Sequence, residues 1–278
     1  MSMYIIKLWL NTIKTTFRNL PALIIFALLY AVLLATFFKF IWTREATVWQ
    51  VLITYSFMVL IPAEFFIYQA AIIDRVRDQK FRWGAIVIDA VKFLIVTIPI
   101  LLIAWLLYYL LNKIGGHYPA PAPAALPPGS VPPPQPLHWP TFLFSTLRLL
   151  LFGIALPLVT IHLWIAVAGT EIRSLFAPSF FRKIGGAVAR AFQFEPVLIY
   201  GLGLIVFVLV PYAILFIPFS PQGNKADFGF FILRLSLAFI FSLVGWVVTI
   251  SALTRSSLET SPAGSPDKSP AVALEAAA

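Results

Sequence analysis

The chain has 278 residues, of which 60% are hydrophobic and only 11% charged, and its formal net charge is +9. Soluble domains carry roughly 25% charged residues, so this composition cannot cover a water-facing surface and lipid is the expected solvent. Cysteine is absent, which excludes disulfides, thiolate chemistry, iron–sulfur clusters and Cys-type zinc sites, and three histidines leave little room for another metal centre. The basic residues sit in short runs between apolar segments, as charges do beside membrane spans, so no nucleic-acid partner is expected.

A spanning helix needs about 20 apolar residues to cross a hydrocarbon core roughly 30 Å thick. Six windows meet this requirement, near 20–41, 48–72, 93–112, 141–168, 196–218 and 229–253. Helices are expected because each backbone N–H and C=O in lipid must be satisfied within the segment or in a closed barrel, and the runs lack the alternation of barrel strands. About twenty residues that themselves read as helix precede the first span and no small-residue cleavage site appears, so that span is expected to be retained.

Of the 20 Lys and Arg residues, 14 fall on the side that holds both termini and 6 on the other. The positive-inside bias therefore predicts cytoplasmic N- and C-termini. Between spans three and four, on the outer side, lies the proline-rich segment 118–140, expected to be polyproline II or irregular because proline removes donors and fixes φ. The tail 256–278 is rich in Ser, Pro and Ala and is expected to be disordered.

The chain also repeats itself, in units of about 1–75, 76–173 and 174–255. In each, an amphipathic stretch precedes a pair of spans. Lys7, Asn11, Lys14 and Arg18 share one helical face in the first; Arg75, Asp78, Arg82, Asp89 and Lys92 form a stripe in the second; Lys183, Gly186, Arg190 and Gln193 follow the same phase in the third. Helices of this type lie in the membrane interface with their basic face on lipid phosphates. The expected headgroup contacts are Lys7, Lys14, Arg18, Arg82, Lys92, Arg182, Lys183 and Arg190. Prolines enter the following spans at Pro21 and Pro196, where no intrahelical bond is lost, whereas Pro99 and Pro211 lie inside spans and predict kinks. Each unit closes on an arginine, Arg75, Arg173 or Arg255. The predicted fold class is thus all-α, a polytopic membrane protein of six transmembrane helices in three repeats of interfacial helix plus helical hairpin.

This layout resembles the six-helix membrane domain fused to some bacterial glycerophosphodiester phosphodiesterases, and its stand-alone YciC-like relatives. The likeness is carried by the basic helix ahead of a hairpin, by the Gly-Ala steps at Gly84-Ala85 and Gly186-Ala187, and by the aromatic-x-x-x-Pro entry from Phe192 to Pro196. It spans roughly residues 1–255 and implies a bacterial inner-membrane location. The hydrolase activity of the fused proteins does not carry over, because no Glu/Asp/His cluster could hold its metal. The proline-rich loop departs from the pattern.

Ionisable groups inside spans are costly and mark candidate sites. Glu64 and His162 each lie eleven residues before a unit's terminal arginine, Arg75 and Arg173, which predicts equal depth; they either face one another as an ion-paired or proton-sharing couple or each fix helix packing. No cofactor is expected; a haem or pigment ligated by His162 is the alternative. Arg148 and Arg234, near the outer ends of spans four and six, either snorkel to headgroups or pair as an anion site, with Lys113 nearby. Glu195 reads as a first-turn acid, Gly201 and Gly203 as close-contact positions, and Trp42, Trp49, Tyr108, Tyr109 and Trp139 as an outer aromatic belt.

No catalytic signature is present, and the residues point to a non-catalytic envelope protein that interacts with lipids, especially anionic ones, or acts as a scaffold. A transporter for a small or lipid-like solute, using Glu64 and His162, is the second reading. The third is an accessory subunit whose protein partners form a respiratory or photosynthetic membrane complex.

Overall fold

The computed structural model of the chain describes residues 2–44, 47–119, 138–217 and 224–260. The greater part of the proline-rich segment and the tail beyond residue 260 lie outside the described residues. Within them the structure is all-helical, and six helices are long and apolar enough to cross a membrane: α2 (Leu20–Trp42), α3 (Val48–Asp78), α4 (Trp83–Gly115), α5 (Trp139–Val167), α7 (Phe194–Phe216) and α8 (Asn224–Thr260). The shorter α1 (Ser2–Arg18) and α6 (Pro178–Ala191) precede α2 and α7. The chain is a polytopic membrane protein, and its spans expose large apolar side chains outward, from Leu28 and Phe38 to Val59, Leu102 and Leu149.

Two of the three expected interfacial helices stand as separate helices. The second does not: the stripe from Arg75 to Lys92 is broken at Gln79, whose left-handed φ of 58° caps α3, and its halves continue α3 and open α4. The spans accordingly run past their expected inner limits, and α8 continues to Thr260, so residues 256–260 of the expected disordered tail are helical. Helix α1 is also more than an interfacial anchor. Ile5, Leu8 and Thr12, spaced to share a face, are buried against the bundle, while Lys7, Lys14 and Arg18 on the other side are exposed. Tyr4 donates to Glu259 at the end of α8.

The packed core occupies one half of the bundle, the half holding the basic ends. Its buried members are drawn from the first turns of α2, the second half of α3, the first half of α4, the end of α5, the start of α7 and the second half of α8. Trp164 of α5 lies at its centre, stacked on Phe93 at 5.7 Å with edge contacts to Phe65 and Phe66, and its Nε1 donates to Thr97 Oγ1 at 2.9 Å. Toward the other ends few residues are enclosed, and Trp42, Trp49, Tyr108, Tyr109 and Trp139 are all exposed.

Prolines inside spans are accommodated in two ways. Helices α3 and α4 continue as α-helix through Pro62 and Pro99. Ahead of Pro157 and Pro211 the helix widens into π-type turns, Leu149–Ala155 and Ile205–Leu209. Proline has no N–H and its ring pushes away the carbonyl four residues back, here Gly153 and Phe207. Neighbouring helices supply the missing donors: Tyr200 Oη to Gly153 O at 3.1 Å, and Ser242 Oγ to Phe207 O at 3.3 Å. Each freed carbonyl thus becomes an interhelical bond, binding α5 to α7 and α7 to α8 in a medium without water to take it.

The two glycines expected to bring α7 close to a neighbour differ in role. A Cβ on Gly203 would lie 2.0 Å from Thr249 Oγ1 of α8, whereas one on Gly201 meets nothing within 4 Å. Of these two, it is Gly203 that the close approach requires. Gly203→Ala is expected to cost about 1–3 kcal/mol through overpacking and to lower the thermal unfolding midpoint in detergent, while Gly201→Ala leaves it unchanged; equal midpoints for both would contradict this contact.

Candidate functional site

The charged groups that matter most gather where α3 and α5 end and α4 begins. Asp89 and Lys92 lie one turn apart on α4 and form an ion pair, with side chains 4% and 1% exposed. Helix α5 stops at Val167, and the chain turns through Gly169 at φ +67°, a conformation that suits glycine. The broken helix end leaves carbonyls and an N–H without helical partners. Lys92 Nζ donates to the carbonyls of Val167 at 3.3 Å and Thr170 at 2.7 Å, and Asp89 Oδ2 accepts from Gly169 N at 2.9 Å. A cation on terminal carbonyls also meets the negative end of the helix dipole.

Two residues of α3 complete the cluster. Asp74 lines the same cavity as Asp89 and Lys92. The Arg77 guanidinium lies over Gly169 so closely that a Cβ there would sit 2.5 Å from Nη2. Asp74 Oδ2 and Arg77 Nη1 are buried with no hydrogen-bond partner among the described residues. Two acids and two bases from α3 and α4 thus surround the turn that ends α5. Lys92 is therefore not a headgroup contact as expected: its side chain is withdrawn from solvent because the end of α5 needs it.

On the far side of Arg77 a cavity of about 560 Å³ opens between α5, α6 and the end of α8. Arg77, His162, Arg182, Lys183 and Arg190 supply its charge, with Thr170 and Ser257, and no Asp or Glu is among its lining residues. Helix α6 brings Arg182, Lys183 and Arg190 there because its Ala187 and Ala191 are buried against the bundle. His162 is buried; its Nδ1 lies 2.9 Å from the Leu158 carbonyl and its Nε2 has no hydrogen-bond partner among the described residues. A second cavity of about 490 Å³ lies on the α4 side of Arg77, and Asp74, Asp78 and Asp89 join Arg82 and Lys92 in its wall. Arg82 itself pairs with Asp78 and stays largely exposed.

The other expected sites separate. Glu64 Oε1 accepts from Thr36 Oγ1 at 3.1 Å, and its Oε2, like His162 Nε2, is buried without a partner among the described residues, so the structure does not bring the two together. Their equal spacing to Arg75 and Arg173 misleads because α3 is helical through Arg75 to Asp78, whereas α5 breaks at Val167 and Arg173 lies beyond, in a 3₁₀ turn. Glu64 thus fits the packing role between α2 and α3. Arg148 donates to Asn112 Oδ1 at 2.6 Å while Arg234 lies over the Phe230 ring at 4.8 Å. Glu195, in the first turn of α7, accepts from Ser256 Oγ of α8 at 2.8 Å. Among the described residues no group of three or more His, Cys, Asp or Glu is placed to hold a metal ion.

In the sequence Asp89 and Lys92 fall on an outward-facing stripe, and nothing there singles out Asp74 or Arg77. The available signal was local: Asp89 and Lys92 lie in Ile86-Val-Ile-Asp-Ala-Val-Lys-Phe-Leu-Ile95, where nearly every neighbour is apolar. Charges so surrounded, and next to a helix start, point inward in pairs.

Comparisons with models of known protein families, with characterised proteins and with solved structures found no match. The resemblance in layout stands on the sequence alone.

Removing one member of a buried ion pair strands the other and costs about 3–5 kcal/mol, whereas replacing both with uncharged groups of similar shape is far milder. Lys92→Ala is accordingly expected to destabilise the protein severely, and the double change Asp89→Asn with Lys92→Met to recover most of the loss. Chemical unfolding in detergent measures both; a double variant as weak as Lys92→Ala would refute the coupling.

Proposed function

We propose that this chain is a non-catalytic membrane protein that binds anionic phospholipid at the basic end of its bundle, with the headgroup in the cavity beneath α6. The observation that carries this reading is the lining of that cavity, where Arg77, Arg182, Lys183 and Arg190 converge with His162 and no carboxylate is among the lining residues. A phosphate ester seated there would accept charge-assisted hydrogen bonds from these guanidinium and ammonium groups.

The surroundings favour a lipid over a water-borne anion. Helix α6 is amphipathic, with Arg182 and Lys183 exposed beside Phe181, which is 75% exposed, and Phe192 and Phe194 follow it outward. Aromatic rings beside basic groups suit the headgroup and acyl boundary. The excess of basic residues at this end, 14 against 6, supports a cytoplasmic orientation for it and for both termini, in the inner membrane of a bacterium. Ion-coupled transport has less support, because Glu64 bonds Thr36 and is not among the residues lining the cavity with His162.

A cytoplasmic-leaflet Lys or Arg near anionic lipid contributes about 1 kcal/mol. The triple change of Arg182, Lys183 and Arg190 to Gln is therefore expected to weaken phosphatidylglycerol binding on the order of 100-fold, with phosphatidylcholine binding unaltered. Native mass spectrometry of the detergent-purified protein reads the outcome, and unchanged phosphatidylglycerol retention would overturn the proposal.

A further inference from the structure

We infer that the protein has a second anionic-phospholipid site, in the cleft between the α1–α2 junction, the end of α3 and α8, with the lipid phosphate held between Arg75 and Arg255. The cleft encloses about 500 Å³ and shares no lining residue with the cavity beneath α6. Arg75 of α3 and Arg255 of α8 both line it, with Thr15, Thr16, Asn19, Gln79 and Ser251 adding hydroxyl and amide groups, and no carboxylate is among the lining residues. Neither guanidinium has a carboxylate partner among the described residues. Arg75 is instead held by the Phe81 ring, 5.5 Å from its Cζ, and Phe81 in turn makes an edge contact with Phe26 at 5.7 Å.

Two half-buried guanidiniums facing one cleft repel each other, and an anion between them reverses the sign of that interaction. Guanidinium forks and hydroxyls match the oxygens of a phosphate. The remaining wall selects the rest of the ligand. Ala22, Leu23, Phe26, Ile72, Val76 and Val247 are apolar and lie on α2, α3 and α8, which are themselves spans. A free phosphate has no use for that surface, whereas the first methylenes of an acyl chain would cover it. The polar rim near the helix ends and the apolar wall along the spans place head and chain in the order that a phospholipid presents them.

The test uses the full chain in non-ionic detergent and native mass spectrometry, with phosphatidylglycerol and phosphatidylcholine as lipid probes and inorganic phosphate as competitor. Wild-type protein is expected to carry two phosphatidylglycerol molecules. Arg75→Gln with Arg255→Gln should weaken one of them ~30-fold and leave intact the one that depends on Arg182, Lys183 and Arg190. Thr16→Glu, which keeps both arginines and places a carboxylate in the cleft, should displace the same lipid and guards against misfolding of the double variant. Two lipids bound at unchanged affinity by both variants would overturn the second site and leave the first standing. Inorganic phosphate competing as strongly as phosphatidylglycerol would show that the apolar wall contributes nothing, and would overturn the lipid assignment.

Discussion

The end of α5 organises the half of the molecule where the core is packed. Where α5 stops, its last carbonyls lack helical partners, and Lys92 reaches across from α4 to take two carbonyls while its partner Asp89 takes the Gly169 amide. Burying that lysine requires the aspartate, and Asp74 and Arg77 of α3 line the same cavity. Three helices are thereby tied at one level. At position 169 the left-handed φ of +67° strains any residue larger than glycine, and the Arg77 guanidinium lies beside it.

That knot separates two environments. On one side of Arg77 the wall of the 490 Å³ cavity mixes acids with bases and is close to self-compensating. On the other the charges are of one sign, and His162 with the α6 cations faces a space without an acid among its lining residues. The same residue thus belongs to a closed structural network and to an open site, so changes there move stability and binding together. The α6 side chains change binding alone, since they project from an amphipathic helix whose packing rests on Ala187 and Ala191.

The remaining polar residues of the spans are packing devices. Thr36 with Glu64, Trp246 with Gln69, Trp164 with Thr97, and the carbonyls freed by Pro157 and Pro211 each join two helices by one hydrogen bond. In lipid such bonds stand in for the hydrophobic effect, which provides little net force between helices already surrounded by hydrocarbon. Small residues do the same work by proximity, as Gly203 does opposite Thr249.

Six spans, an all-helical class and the gathering of positive charge at one end were legible in the residues, because each depends on composition and on a helical period that acts within a single segment. Which half of the bundle is packed, that the stripe ending in Lys92 turns inward, and that Glu64 and His162 stay apart were not legible. Each of those depends on where a helix breaks: a turn at Gln79 and another at Gly169 reset depth and facing for every residue beyond them. A period counted through such a break assigns the wrong neighbours, and only tertiary packing decides which charges find one another.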